Sequence, residues 1–260
     1  MLYRTGASFL NSALELAGLV KHFGPKTAVH DVTLTVPAGS FYGLVGPNGA
    51  GKTTSLSMAV GLLRPDGGHA RIFGTDVWAD PVKARAKVGV LPDGLALPER
   101  LTGRELLVFQ GRLRGFDKAT AASRAEELLD VLDLLDAERT LVNDYSTGMR
   151  KKIGLATALL HGPRLLVLDE PFEAVDPVSA LTIRGILRTF VDGGGSVVLS
   201  SHVMALVEQI CDHVGVIDNG RVVAAGTLDD VRGGGTLEGR FVELVGAGAA
   251  TRKAPSWLVS

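Results

Sequence analysis

The stretch from Gly46 to Thr54 reads GPNGAGKTT, and no other part of the chain restricts its fold so tightly. It has the form G-x-x-x-x-G-K-[ST], preceded by a strand-like run, Ser40 to Val45 (SFYGLV), and followed by a helical one, Thr54 to Leu63. Glycines 46, 49 and 51 open turns closed to residues with side chains, so successive N–H groups can face one concavity and hold phosphate oxygens. The helix that follows adds its N-terminal dipole and free N–H groups. In such a cradle Lys52 reaches the β- and γ-phosphates as a point charge, and the Thr53 hydroxyl ligates Mg²⁺. Gly46, Pro47, Asn48, Gly49, Ala50, Gly51, Lys52, Thr53 and Thr54 are therefore the expected nucleotide-binding residues. The loop alone does not choose among kinases, GTPases, transport ATPases and DNA-repair ATPases.

With 260 residues and 46% hydrophobic composition the chain can bury a full core. A net charge of −1 offers no overall basic field for nucleic acid, although Arg150, Lys151 and Lys152 could form a local basic patch. The single cysteine, Cys211, lies in a helical run and is expected to be buried, which fits a reducing cytosol. No apolar run is long enough to span a membrane. MLYRTGASFLNSAL reads as a short extension rather than a secretory signal, because Asn11 and Ser12 interrupt its apolar part. No histidine pair has metal-ligand spacing.

Strands are expected over Ala13 to Val20 and Asp31 to Val36, joined by the loop KHFGPKTA, then near His69 to Phe73 and Lys87 to Leu91. From about Thr102 to Leu160 the periodicity is helical, with a capping box of Thr102 and Glu105 and a helix over Lys118 to Leu135. Strand Arg164 to Leu168, helix Pro177 to Val191, strand Ser196 to Ser200 and helix Val203 to Asp212 follow. Val214 to Ile217 and Arg221 to Ala225 make a hairpin across Asp218-Asn219-Gly220. This alternation implies a largely parallel sheet covered on both faces, with a helical lobe inserted. The domain is expected over 13–230 with its lobe over about 95–160, flanked by an extension (1–12) and a Gly-rich, irregular, poorly ordered tail (231–260).

Arg164 to Pro171 reads RLLVLDEP, an apolar strand ending in two carboxylates at its C-terminal edge. Asp169 can hold Mg²⁺ or its water shell, and Glu170 can take a proton from a water attacking the γ-phosphate. Between this strand and the phosphate loop lies Tyr145-Ser146-Thr147-Gly148-Met149-Arg150-Lys151-Lys152. With these motifs in this order, from about Leu14 to Thr227, the chain resembles the nucleotide-binding subunit of ABC transporters, whose signature is usually written LSGGQ.

The resemblance implies an α/β fold: a P-loop NTPase core with a mainly parallel sheet, an N-terminal antiparallel β subdomain and the helical lobe. It implies that Phe23 stacks on adenine, that Val175 and Asp176 lie across a subunit interface, and that His202 contacts the γ-phosphate. Glu170, His202 and Lys52 become the catalytic residues, and Thr53, Asp169 and Asp93 the residues near Mg²⁺. Ser146, Thr147 and Gly148 become a phosphate clamp acting in trans, since Ser146 and the Gly148 N–H open a helix. ATP and Mg²⁺ are the implied cofactors. The implied partners are a second nucleotide-binding subunit, homodimeric or paralogous, and a transmembrane permease, with the subunit at the cytoplasmic face of the membrane.

Departures exist. Asp93 stands where the family most often has Gln; it accepts hydrogen bonds but cannot donate, and it adds charge beside phosphates. Thr147 and Met149 replace a signature Gly and Gln. The forms YSTGMRKK, LPD and DEPFEAVDP resemble export systems of the drug and antibiotic efflux group. The alternatives are an importer ATPase, a soluble ABC ATPase acting on ribosomes or DNA, and a generic P-loop kinase. The soluble members usually carry two modules or a long coiled-coil insertion, and the kinase gives no reason for the signature helix.

Overall fold

The structure, a computed structural model, describes residues 12–246. β1 (Ser12–Phe23) and β2 (Lys26–Pro37) form a long antiparallel pair. Both strands exceed the expected ones, and the eight-residue connection contracts to Gly24 and Pro25. The reason is tertiary: Asp66 accepts the His22 N–H at 2.7 Å and the Lys21 ammonium at 2.9 Å, pinning the end of β1. Phe23 is thereby placed at the hairpin tip. β4 (Gly67–Ile72) pairs with β1, and the short β5 (Thr75–Asp76) pairs with β4, both antiparallel.

The remaining strands are β3 (Phe41–Val45), β6 (Val88–Leu91), β7 (Leu165–Leu168), β8 (Ser196–Ser201), β9 (His213–Asp218) and β10 (Arg221–Thr227). The full order is β5-β4-β1-β2-β10-β9-β3-β8-β7-β6. The run β9-β3-β8-β7-β6 is parallel, and β10 returns antiparallel through the expected hairpin. One residue pair, Arg221 with Asp31, joins β10 to the antiparallel strands.

Side chains alternate across a strand, so each parallel strand feeds two cores. Phe41, Leu166, Leu168, Val197 and Leu199 enter the core shared with the helical lobe. Tyr42, Leu44, Leu165, Val167 and Val198 enter the one shared with β1, β2 and α1 (Lys52–Ala59). α1 starts two residues earlier and stops earlier than its periodicity suggests.

Beyond the short α2 (Pro81–Arg85) and β6, the lobe begins with α3 (Gly103–Leu113), which opens with the expected capping box. The Thr102 hydroxyl accepts the Glu105 N–H at 3.2 Å, and the Glu105 carboxylate accepts the Thr102 N–H at 2.9 Å. α4 (Lys118–Val131) ends before Leu135, because Asp133 takes φ 55° and turns Leu132 and Leu134 into the core. α5 (Thr147–Leu159) packs on α3, α4 and β6, tying the lobe to the sheet.

α6 (Pro177–Asp192) precedes β8, while α7 (Met204–Ile210) is shorter than expected. Cys211 is buried at its end, as expected. Where an irregular tail was expected from 231, the described residues hold helix: α8 (Leu228–Arg232) straddles its start and α9 (Leu237–Val245) lies within it. Leu237 is fully buried and its N–H donates to the Glu208 carboxylate at 2.8 Å, so α9 is fixed against α7. Residues 1–11 of the expected N-terminal extension and the tail beyond 246 lie outside the described residues, and Ser12 already belongs to β1.

Candidate functional site

The strands β3, β8 and β7 are spatial neighbours although they are far apart in the chain. Their C-terminal ends deliver the loop after Val45, the acids after Leu168 and His202 after Ser201 to one edge, where ligands of open parallel sheets sit. A cleft of ≈ 470 Å³ opens there, bordered by Phe23, Pro47 to Thr54, Asp93, Glu170 and His202. Lys26, Ala28 and Glu173 also line it. Sequence reasoning missed these three, the first two because they lay in a segment read as a connecting loop.

The loop's glycines serve two different needs. Gly51 adopts φ 103° and is the N-cap of α1, with no side chain capping it, so the first-turn N–H groups remain for an anion. Gly46 has no positive φ; there a Cβ would stand 2.2 Å from the Ile217 carbonyl oxygen. Close approach, not turn geometry, excludes a side chain at 46. Lys52 is buried, and its ammonium donates to the Gly46 carbonyl at 2.7 Å and the Pro47 carbonyl at 3.4 Å. It also stands 3.8 Å from the Glu170 carboxylate.

Ser200 organises the two acids. Its hydroxyl donates to the buried Asp169 carboxylate and accepts the Glu170 N–H at 2.8 Å. Glu170 adopts φ 45°, unusual for a residue with a side chain. Its carboxylate lies 3.1 Å from His202 Nδ1, which as the donor fixes the ring tautomer, and its carbonyl accepts from the Lys151 ammonium at 2.9 Å. Thr53, Asp93 and Asp169 border a smaller cavity of ≈ 60 Å³ beside the cleft. One hydroxyl and two carboxylates are hard oxygen donors, and Mg²⁺ commonly takes one or two carboxylates together with substrate oxygens. The donor set fits that ion. Asp93 is exposed, with its carboxylate accepting the Gly94 N–H at 2.8 Å.

Ser146 caps α5, its hydroxyl accepting the Met149 N–H at 3.2 Å, and Ser146 and Thr147 are exposed. Gly148 is buried against the start of α6: a Cβ there would lie 2.7 Å from both the Asp176 carboxylate and the Ser179 hydroxyl. Asp176 caps α6, and the Ser179 N–H and hydroxyl hold its carboxyl below the usual carboxylate range. Ser146, Thr147 and Gly148 do not border the cleft. The structure thus gathers Phe23, the loop, Asp93, Glu170 and His202, and leaves the signature segment apart.

The basic run is not a patch. Arg150 pairs with Glu99 at 3.7 Å, Lys152 is buried and pairs with Asp133 at 3.5 Å, and Lys151 turns to Glu170. Lys151 and Ser200 escaped sequence reasoning; the only hint for Ser200 was a polar pair ending an apolar strand before His202.

The ABC transporter family profile matches residues 29–173. The daunorubicin/doxorubicin resistance ATP-binding protein DrrA of Streptomyces peucetius is 44% identical over 220 residues, covering 85% of this chain and 67% of that protein. The linearmycin resistance ATP-binding protein LnrL of Bacillus subtilis is 36% identical over 218 residues, covering 84% and 70%. A solved structure of an ATP binding subunit of an ABC transporter superposes with a TM-score of 0.82 at 32% identity, covering 90% of this chain and 99% of the other.

Proposed function

The chain belongs to the ABC transporter family as an ATP-binding subunit, and from that premise we propose that it hydrolyses ATP at Glu170, pairs through its signature segment and drives a separate export permease. The observation that carries this reading is the meeting of the Glu170 carboxylate with His202 and Lys52 at the cleft of the phosphate loop.

Phe23, half exposed at the hairpin tip, offers its ring to adenine, while the N–H groups of Gly49 to Thr53 receive phosphate oxygens. Lys52 exchanges its own loop carbonyls for the β- and γ-phosphates. Thr53 and Asp169, with Asp93 beside them, would hold Mg²⁺, which when bound neutralises phosphate charge. Glu170 accepts the proton of the attacking water, and His202 orients its carboxylate through Nδ1 and contacts the γ-phosphate.

Ser146, Thr147 and Gly148 present the capped start of α5 outside their own cleft, where a second subunit's nucleotide can meet it. ATP then bridges two subunits, and loss of the γ-phosphate removes contacts that favour the closed pair. No helix among the described residues is long and apolar enough to cross a membrane. The crossing is assigned to a permease, with this subunit at its cytoplasmic face. The relatives named for daunorubicin/doxorubicin and linearmycin resistance favour export over import.

Glu170→Gln should keep ATP affinity and slow phosphate release by about 10²–10⁴, the size of a general-base effect. Undiminished release would remove Glu170 from the role. The same variant should migrate as a dimer in ATP on size exclusion; a monomer at saturating ATP would count against pairing.

A further inference from the structure

We propose that Lys151 is a positioning residue that holds Glu170 in its working conformation. Glu170 sits at φ 45°, a region disfavoured for residues with a Cβ, which persists only where surrounding contacts impose it. Three contacts do so: the Glu173 N–H donates to the Glu170 carbonyl at 3.2 Å and closes a turn, and two side chains add to it from opposite ends of the residue. The Ser200 hydroxyl receives its N–H at 2.8 Å, and the Lys151 ammonium donates to its carbonyl at 2.9 Å.

Lys151 is well suited to the task. It rises from the second turn of α5, is partly buried, and has no carboxylate within ion-pair distance among the described residues. Its charge is directed at a backbone carbonyl instead. Because Ser200 also binds Asp169, the clamp sets Glu170 in register with the acid before it. From that backbone the Glu170 carboxylate reaches His202 and Lys52. Released from Lys151, the peptide can relax out of the left-handed region and carry the carboxylate away from the cleft.

The inference rests on Glu170 being the general base, and the experiment separates the two. Purified full-length Lys151→Met, Glu170→Gln and the double variant are compared with wild type for ATP affinity, by fluorescent-nucleotide titration, and for phosphate release. Lys151→Met should lower kcat about ten- to a hundredfold, the effect of losing one charged hydrogen bond, with nucleotide affinity unchanged. Lys151→Arg, which keeps a donor, should recover most of the rate. In the Glu170→Gln background Lys151→Met should change the residual rate less than twofold, since the group it positions is already disabled. An unchanged kcat in Lys151→Met, or an equal loss in both backgrounds, would overturn the proposal. If Glu170→Gln itself hydrolyses at the wild-type rate, the general-base reading falls instead.

Discussion

Replacing Gly46 by alanine tests whether the phosphate loop is held by contact with the sheet. The new Cβ would lie 2.2 Å from the Ile217 carbonyl oxygen and 3.3 Å from the Ala50 Cβ. Ordinary contact begins near 3.4 Å, so about 1 Å must open between the end of β3 and β9. The Ile217 carbonyl belongs to β9 backbone paired with β10, and Gly46 directly follows Val45, which lies opposite Val216, so the oxygen cannot swing aside as a side chain would.

Overpacking of this kind costs about 1–3 kcal/mol. In a domain of this size that lowers Tm by about 2–12 °C. The shift falls on the residue that starts the loop, and a misplacement of about 1 Å at a catalytic centre can cut turnover about 10²-fold. Gly49→Ala serves as the comparison: it lies in the same loop at φ 80° with nothing within 4 Å, so it meets conformational strain of about 1–2 kcal/mol and no collision. Thermal melting with ATP titration and phosphate release reads all three effects. A Gly46→Ala protein with wild-type Tm and turnover would refute the contact argument.

Lys52→Ala should weaken ATP binding in a fluorescent-nucleotide titration; unchanged affinity would count against the loop assignment. Gly185→Ala should stabilise the protein by about 0.5–1 kcal/mol, because the position is exposed within α6 with open space around it. A fall in the urea midpoint would contradict this. His161 donates from Nε2 to the Val88 carbonyl at 3.1 Å, and burial, then Arg114 and Arg124, push its pKa down to about 4. The unfolded ring titrates near 6.5, so between pH 6.5 and 4 only the unfolded chain gains the proton. The associated stability is complete above pH 6.5 and is lost as pH falls towards 4. With screening at a half-buried ring the loss is about 1–2 kcal/mol. Urea unfolding at pH 7.5 and 5 should show a larger fall for wild type than for His161→Gln; equal falls would dismiss the idea.

Some features were legible because neighbouring residues encode them. The capping box at Thr102 and Glu105, the hairpin at Asn219-Gly220 and the apolar strand before Asp169 follow from local turn chemistry and hydrophobic period. Others depended on distant partners. The extra length of β1 rests on Asp66, and the helix in the supposed tail rests on Glu208 receiving the Leu237 N–H. A Gly-rich run before α9 concealed a residue, Leu237, that becomes fully buried only once α7 is beside it. The RKK run was ambiguous for the same reason, since the acceptor that defines Lys151 is a carbonyl nineteen residues away.

By itself the sequence determined which chemical groups exist and on what local scaffold: a glycine-cradled anion site opening a helix, two carboxylates at a strand end, and a histidine after another strand. These depend on dihedral preference and side-chain period over a few residues. Only the tertiary structure decided that β3, β8 and β7 lie side by side, so that Lys52, Glu170 and His202 meet at one edge. It alone placed Glu170 in a left-handed turn between Ser200 and Lys151, and set Ser146 to Gly148 apart from the cleft. Strand order and pinned backbone arise from pairing and hydrogen bonds between residues far apart in the chain, which no local pattern carries.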